Sequence, residues 1–505
     1  MLFYREIVLG VYFTILTILS IYGTHRLWIL YLYYKHKDEI PVPLGDASFL
    51  PKVTVQLAIF NEYNVIERLI SAVAQLDYPK DKLEIQVLDD STDHTRDLVD
   101  SIVARYRQLG FDIYSLHRID RRGYKAGALE EGLKVVKGEF VAMFDADFVP
   151  NPNFLKHAIP YFKDPKIAFI QGCWTHLNRS SSLLTQVQGI LLDGHFVFEH
   201  TVRHRSNAFF NFSGTAGMWR VSAIEDAGGW QHDTITEDAD LSYRAQLKGW
   251  RGVYLKDLLV PAELPTDVNA FKSQQHRWAK GNAQVIRKLM GTIWKSKASL
   301  HTKIECWFHL TANCNYLLVV ILSILMIPAM VLRAGTPIHV LLMTDGPFFA
   351  LNALSIGLYF GLSQKELSDN VGWKSRLKYI PGLMSLGVGL AFNQSKAVLE
   401  GFFTEDTEFT RTPKMGDVKG ENTGKIKYRV SKSFTTYLEL LFAFMFLVSI
   451  FVSVYLHKWA SLPFLILFFN GYAYMSLLSL VSADTFIVLG LIGWLICDLV
   501  LDRKN

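Results

Sequence analysis

The chain has 505 residues, of which 50% are hydrophobic and 13% aromatic, and its formal net charge at pH 7 is +5. This length favours two or more structural blocks, and the hydrophobic content suits a protein that lies partly in lipid. The small net charge argues against a dedicated nucleic-acid-binding protein, which would carry a strongly basic domain. The four cysteines have no CxxC spacing, so neither a zinc site nor a disulfide framework is indicated.

Apolar segments towards both ends of the chain predict a multi-pass membrane protein. Residues 7–33 are long enough to cross a bilayer. No small-residue cleavage site follows them, so a retained anchor is favoured over a signal peptide. Residues from 35 to about 300 have the composition of a soluble block. Further apolar segments lie near 310–332, 346–363, 379–400, 435–456, 462–482 and 484–501.

Positive charge in the connecting segments predicts the orientation. Segments 364–378 and 401–433 are rich in Lys and Arg, which places both on the cytoplasmic side together with the soluble block. Segment 379–400 between them then cannot be a simple span, and we expect a helix in the membrane interface. Whether 484–501 crosses stays open. The predicted division is an N-terminal anchor 1–34, a cytosolic domain 35–300, transmembrane helices 301–363, an interfacial helix with a loop 364–433, and transmembrane helices 434–505.

The soluble block alternates short apolar strands with helical patterns. Such alternation predicts an α/β fold with a mostly parallel sheet that is covered on both faces. In these sheets ligands bind beyond the carboxyl ends of the strands. The predicted strands are 52–60, 83–93, 112–118 and 139–147, and the predicted helices are 63–76, 94–109 and 125–136.

Two aspartates one residue apart, Asp145 and Asp147, end the fourth predicted strand. In an extended segment residues i and i+2 point to the same side, so both carboxylates can address one point. Two converging carboxylates repel each other unless a cation lies between them, and Mg²⁺ is commonly held by one or two carboxylates plus substrate phosphates. The alternative is an ordinary surface turn, because Asp is common beside Pro and Asn.

Further acidic pairs occupy comparable positions. Asp89 and Asp90 end a neighbouring strand, where they would either bind a nucleotide or cap the following helix. Glu237 and Asp238 precede an amphipathic helix, where acidic residues also have a purely structural use near the positive helix terminus. The stretch "QQHRW" further along the chain is a fourth such motif, and four unrelated coincidences, in this order within one block, are improbable.

The stretch "QQHRW" places a guanidinium beside an indole. Arg277 offers the forked geometry that binds a diphosphate, and Trp278 offers a flat apolar face to a sugar ring. The structural alternative is a boundary helix with an interfacial tryptophan.

Taken together, these motifs resemble those of the processive family-2 glycosyltransferases, which include cellulose and hyaluronan synthases and plant glucomannan mannosyltransferases. The plant group is the most similar, and the resemblance covers about residues 50–290. In the membrane part, "NQSKAVLEG" resembles the family's interfacial helix and "FTRTPK" its FxVTxK gating loop, although Arg411 replaces the family's valine. The resemblance is carried by "IQVLDDSTD", "GYKAGAL", "FDADF", "FNFSGTAGMWR", "AGGW", "TEDADL" and "QQHRW".

The resemblance implies a GT-A (Rossmann-like) cytosolic domain joined to an all-α transmembrane bundle, and it implies residue roles. Asp145 and Asp147 would hold Mg²⁺ or Mn²⁺ on the donor diphosphate. Asp238, beside Glu237, would be the general base of an inverting transfer. Donor contacts are expected from Asp89, Asp90, Lys125, Gln274, Arg277 and Trp278. Acceptor contacts are expected from Phe212, Ser213, Gly214, Thr215 and Trp278, and gating-loop contacts from Phe409, Arg411, Thr412 and Lys414.

The expected function is elongation of a β-linked polysaccharide from a nucleotide sugar, with transfer of the growing glycan across the lipid bilayer of the inner or plasma membrane. UDP-glucose is favoured as the commoner donor in the wider family, and GDP-mannose also fits. No nucleic-acid partner is expected. Two rivals are weighed: a non-processive enzyme that adds one sugar to a lipid, and a transporter without catalysis, which would leave the acidic strand ends unexplained.

Overall fold

The computed structural model describes residues 2–367, 372–404, 411, 412, 414, 416 and 433–480. The strands are β1 Val53–Ile59, β2 Leu83–Asp89, β3 Asp112–His117, β4 Phe140–Met143, β5 Ile167–His176, β6 Gly217–Arg220 and β7 Arg251–Ala262. The helices are α1 Leu2–His36, α2 Ile66–Ala74, α3 Thr95–Gln108, α4 Tyr124–Leu133, α5 Phe154–Ala158, α6 Leu183–Gly194, α7 Thr201–Arg205, α8 Val221–Asp226, α9 Glu237–Leu247, α10 Val268–Lys295, α11 Leu300–Thr311, α12 Asn315–Leu332, α13 Ile338–Glu366, α14 Trp373–Arg376, α15 Ile380–Gly389, α16 Ala391–Phe403, α17 Thr435–Tyr455 and α18 Leu462–Leu480.

The seven strands form one sheet in the order β3-β2-β1-β4-β6-β5-β7. The pairs β1–β2, β1–β4, β2–β3 and β5–β7 are parallel, whereas β6 runs antiparallel to both of its neighbours. Every residue of β2 is buried, as expected for a strand with helices on both faces. The mostly parallel sheet predicted from the sequence is therefore confirmed.

Two strands end earlier than the sequence pattern predicts. β2 stops at Asp89 and β4 stops at Met143, whereas the predicted strands continue to 93 and 147. The chain leaves the sheet at this point because further carboxylates between paired strands would be buried without compensation. Asp90, Asp145 and Asp147 consequently lie in loops beyond the sheet edge.

The apolar segments form long helices. Within the residues that the structure describes, five helical stretches have the length and composition to cross a membrane: 3–36, 300–332, 338–366, 435–455 and 459–480. The segment predicted as one interfacial helix is divided into α15 and α16. α16 packs closely on α10, since a Cβ at Gly401 would lie 2.4 Å from the carbonyl oxygen of Lys280. The predicted segment 484–501 lies outside the described residues.

Candidate active site

A cavity lies beyond the carboxyl ends of β1, β2 and β4. Its wall is completed by the N-terminus of α9, by one face of α10 and by loop residues between 411 and 414. Sequence segments that are hundreds of residues apart therefore meet at one place. The predicted site residues that line it are Asp90, Lys125, Asp145, Asp147, Ser213, Gly214, Glu237, Asp238, Gln274, Arg277, Trp278, Arg411, Thr412 and Lys414.

Three predicted site residues lie behind the cavity wall. Asp89 is 1% exposed, and its Oδ1 accepts a hydrogen bond from the backbone N–H of Ser91 at 2.9 Å. Phe212 is fully buried and packs in the core beside Trp219. The hydroxyl of Thr215 accepts a hydrogen bond from the backbone N–H of Asp145 at 2.8 Å. These contacts hold the wall in place. One further predicted site residue, Phe409, falls outside the described residues.

Asp145 and Asp147 each face a lysine across the cavity. Lys125 Nζ donates to Asp145 Oδ1 at 2.6 Å and to the carbonyl oxygen of Gly214 at 2.9 Å, and Lys414 Nζ contacts Asp147 Oδ1. Burial opposes ionisation of Asp145, but Lys125 and Lys414 outweigh it and lower its pKa. The carboxylate of Asp145 is therefore held in its charged form.

The two aspartates fit a hard divalent cation that brings further ligands with it. No cluster of three or more His, Cys, Asp or Glu side chains capable of holding a metal occurs within the described ranges. A two-carboxylate set in an open cavity instead matches the arrangement in which Mg²⁺ keeps waters and substrate phosphates as its remaining ligands. Asp145 faces the cavity with 32% of its side chain exposed, so an incoming cation can reach it.

Glu237 and Asp238 begin α9 and line the same cavity. The backbone N–H of Ala239 donates to Asp238 Oδ1 at 2.8 Å. Gly214, with φ +76°, permits close approach, because a Cβ there would lie 2.8 Å from Asp238 Oδ2. Burial raises the pKa of both carboxyl groups, and the charge of Asp238 raises that of Glu237 further. This pair can therefore accept a proton near neutral pH.

α10 presents Gln274, Arg277 and Trp278 to the cavity. Its N-terminus is capped by Asp267, whose side chain accepts a hydrogen bond from the backbone N–H of Ala270 at 2.9 Å. Arg277 Nη2 donates to Thr412 Oγ1 at 2.7 Å, so α10 contacts Thr412 at the cavity wall. Burial lowers the pKa of Arg277 to about 10, and the guanidinium stays charged at neutral pH.

The partner of Arg411 is an acidic residue that the sequence motifs do not include. Arg411 Nη1 lies 2.9 Å from Glu62 Oε2 and donates to the carbonyl oxygen of Asn61 at 2.5 Å. Glu62 follows β1 just as Asp90 follows β2, so its place after an apolar strand was a usable signal. Glu263, another missed acidic residue of the wall, accepts a hydrogen bond from the backbone N–H of Gly416 at 3.1 Å. Both carboxylates bind the loop that carries Lys414.

Comparison with known proteins identifies the family of the domain that contains the sheet. Residues 51–281 match the family model described as glycosyltransferase like family 2. These residues form a family-2 glycosyltransferase domain. The resemblance predicted from the motifs is thereby confirmed.

The glycosyltransferase domain has close curated relatives in plants. The chain is 46% identical over 277 residues to glucomannan 4-beta-mannosyltransferase 2 of Arabidopsis thaliana, a match that covers 54% of this chain and 50% of that protein. It is 43% identical over 289 residues to glucomannan 4-beta-mannosyltransferase 1 of Oryza sativa subsp. japonica, which covers 55% and 54% respectively. The chain thus spans about half the length of the curated relatives it matches.

A solved structure shares the fold. Mannosyltransferase PcManGT from Pyrobaculum calidifontis, solved in complex with GDP-Man and Mn²⁺, superimposes with a TM-score of 0.51 at 21% identity. The match covers 71% of this chain and 99% of that one. At this identity the likeness shows the fold alone, and it confirms the GT-A fold expected for residues 51–281.

Proposed function

We propose that the chain is an inverting glycosyltransferase that elongates a β-linked glycan from a nucleotide sugar at a membrane. The observation that carries the proposal is the convergence of Asp145, Asp147, Asp238 and Arg277 on one cavity beyond the sheet edge. Asp145 and Asp147 suit a cation-bound diphosphate, and Asp238 suits a hydroxyl that must lose a proton. Glycosyl transfer requires both groups: one that binds the leaving diphosphate and one that takes the proton of the acceptor hydroxyl.

In the proposed reaction, Asp238 takes the proton of the acceptor hydroxyl as its oxygen attacks the anomeric carbon. Its raised pKa matches this role, since a base works best when its pKa lies near the operating pH. Asp145 and Asp147 would hold Mg²⁺ or Mn²⁺, which supplies charge compensation for the leaving diphosphate. Lys125 and Arg277 face the same region and share that compensation. Attack opposite the leaving group inverts an α-linked donor to a β-linkage.

The relatives favour a mannosyl donor over the glucosyl donor expected from the sequence. The plant proteins are named for transfer of mannose in β-linkage to glucomannan. We therefore propose GDP-mannose in place of UDP-glucose as the donor. The expectation of UDP-glucose rested only on its frequency in the wider family, whereas the relatives match this chain at 46% and 43% identity.

Membrane attachment supports elongation of a glycan that leaves the cytoplasm. The five apolar helical stretches have the length to span a bilayer. α10 carries Arg277 and Trp278 in the cavity wall. A salt bridge between Lys272 of α10 and Glu439 of α17 joins this helix to one of the apolar helices. A chain that grows at Trp278 would thus begin next to the membrane helices, where its hydroxyls need a protein-lined path.

The test is a donor panel offered to the full chain in detergent or nanodiscs, with Mn²⁺ and a β-mannan oligosaccharide as acceptor. The expected result is release of GDP from GDP-mannose and growth of the oligosaccharide by β-linked mannose. A discrete lipid-soluble glycoside as the sole product would instead establish the single-sugar rival. Absence of nucleotide release from every sugar nucleotide would overturn the enzymatic proposal.

A further inference from the structure

One guanidinium in the cavity wall has a buried Nε without a hydrogen-bond partner. Arg121 lines the cavity, and its Cζ lies 3.3 Å from the ring centroid of Phe60 and 5.3 Å from that of Tyr124. The Nε of Arg121 is buried, and among the described residues no acceptor lies within hydrogen-bond distance of it. Leaving a buried donor unsatisfied costs stability, so this group is suited to a ligand.

The loop that carries Arg121 is held in a fixed shape. Arg118 donates to both carboxylate oxygens of Asp90, at 2.8 and 2.5 Å, and to the carbonyl oxygens of Arg122 and Tyr124, at 3.0 and 2.8 Å. Gly127 permits this closure, because a Cβ there would lie 2.1 Å from the carbonyl oxygen of Arg122. Arg121 therefore lies on a preorganised turn, and its planar guanidinium group loses little conformational entropy when it binds a ligand.

The position of this turn matches the nucleoside end of a bound donor. Asp90 follows β2 and Asp145 follows β4, with β1 between them in the sheet. Neighbouring strands are about 4.8 Å apart, so the carboxyl ends of β2 and β4 are separated by roughly 10 Å. A diphosphate beside Asp145 and Lys125 would thus place its base beside Asp90, Phe60 and Arg121.

We propose that Arg121 selects a guanine base, an inference that rests on the proposed use of a nucleotide sugar. An arginine fork donates two parallel hydrogen bonds to the O6 and N7 atoms of guanine. On the adjoining edge, guanine N1–H and N2–H would donate to Asp90. Uracil offers only O4 to the fork and only N3–H to the carboxylate. Adenine presents an amino donor where O6 would be, which opposes the guanidinium.

The experiment measures binding of GDP, UDP and ADP, with Mn²⁺ present, to the full chain and to the variants Arg121→Gln, Arg121→Lys and Arg122→Gln. We expect the unaltered chain to bind GDP more tightly than UDP or ADP by at least about tenfold, the size of one bidentate base contact. Arg121→Gln and Arg121→Lys should lose most of that preference while UDP binding changes little. Arg122 is the matched control, because its side chain is exposed on the same turn.

The outcomes separate this inference from the proposed function. An undiminished preference for GDP in both Arg121 variants would overturn the role of Arg121, and so would an unaltered chain that prefers UDP or binds neither nucleotide. In the first two cases glycosyl transfer can still proceed, so the proposed transferase activity would survive, although a preference for UDP would also overturn GDP-mannose as the donor. Conversely, Arg121-dependent GDP binding without transfer of any sugar would support the selection of guanine by Arg121. It would overturn the proposed glycosyltransferase function.

Discussion

Lys272 Nζ lies 2.5 Å from Glu439 Oε2, and the two side chains are only 4% and 0% exposed. Lys272 belongs to α10, the helix that forms one side of the cavity, and Glu439 belongs to α17, one of the apolar helices. Lys272 Nζ also donates to Ser479 Oγ of α18 at 2.9 Å, and Asn393 Nδ2 of α16 donates to the carbonyl oxygen of Lys272 at 3.0 Å. This buried pair therefore ties the cavity wall to three neighbouring helices.

Removing one partner of this pair should destabilise the protein. Lys272→Met leaves the Glu439 carboxylate buried without its cation, and such losses cost about 3–5 kcal/mol. The double variant Lys272→Met with Glu439→Leu should recover much of that loss, because no lone charge then stays buried. Thermal unfolding in one detergent measures both, with Lys295→Met, exposed on the same helix, as control. Equal melting temperatures for Lys272→Met and the control would contradict the prediction.

Asp238→Asn should abolish transfer while donor binding is retained. The amide keeps the size of the side chain but cannot accept the proton of the acceptor hydroxyl, and general-base assistance is worth about 10²–10⁴ in rate. Product formation and nucleotide binding are measured on the same preparation. Glu237→Gln, the neighbouring carboxyl change, should cost less if Asp238 is the base. Near-normal turnover by Asp238→Asn would remove it from that role.

The pH dependence of turnover should reflect the elevated pKa of the same carboxyl. Burial raises the pKa of Asp238 to about 6, and a general base acts only when deprotonated. The rate at saturating donor should therefore fall as the pH drops through about 6, whereas an ordinary aspartate would keep its activity to near pH 4. A rate that is flat between pH 7 and pH 5 would contradict the assignment.

The acidic strand ends could be predicted because the geometry of a parallel sheet is local and regular. An apolar run that stops at a carboxylate indicates both the strand and the sheet edge beyond which ligands bind. Asp90 and Asp145 were predicted to lie at this edge, and both line the cavity there. Asp89, one residue earlier, points into the wall instead. A strand alternates its faces with each residue, so the register at the last position decides which of two adjacent aspartates reaches the cavity.

Contacts made by loops could not be predicted in this way. The approach of Arg411 to Glu62 depends on a left-handed residue, Asn61 with φ +54°, and joins two residues that lie about 350 positions apart in the sequence. Similarly, the position of Arg121 depends on hydrogen bonds from Arg118 that have no periodic signal in the sequence. Such placements follow from tertiary packing, and single-sequence patterns do not contain them.

Donor binding should require a divalent cation held by Asp145. Asp145→Ala, or a chelator added to the unaltered chain, should abolish metal-dependent donor binding, because the variant loses the cavity-facing carboxylate that an incoming cation reaches and keeps only Asp147, which Lys414 contacts. Binding of the nucleotide sugar is titrated with and without Mn²⁺. Asp97→Asn, an exposed carboxyl change on α3, is the control and should bind like the unaltered chain. Tight metal-dependent binding by Asp145→Ala would refute the assignment.

The ion pair between Arg411 and Glu62 should stabilise the position of Lys414 beside Asp147. Arg411→Val removes the cation and leaves the Glu62 carboxylate, 7% exposed, without its partner, so donor affinity should fall. Glu62→Gln should weaken binding for the same reason, and the double variant should lose less than the sum of the two. Residues in direct contact typically couple by about 0.5–3 kcal/mol, which donor affinities of the three variants measure. Strict additivity would show that the two side chains act independently.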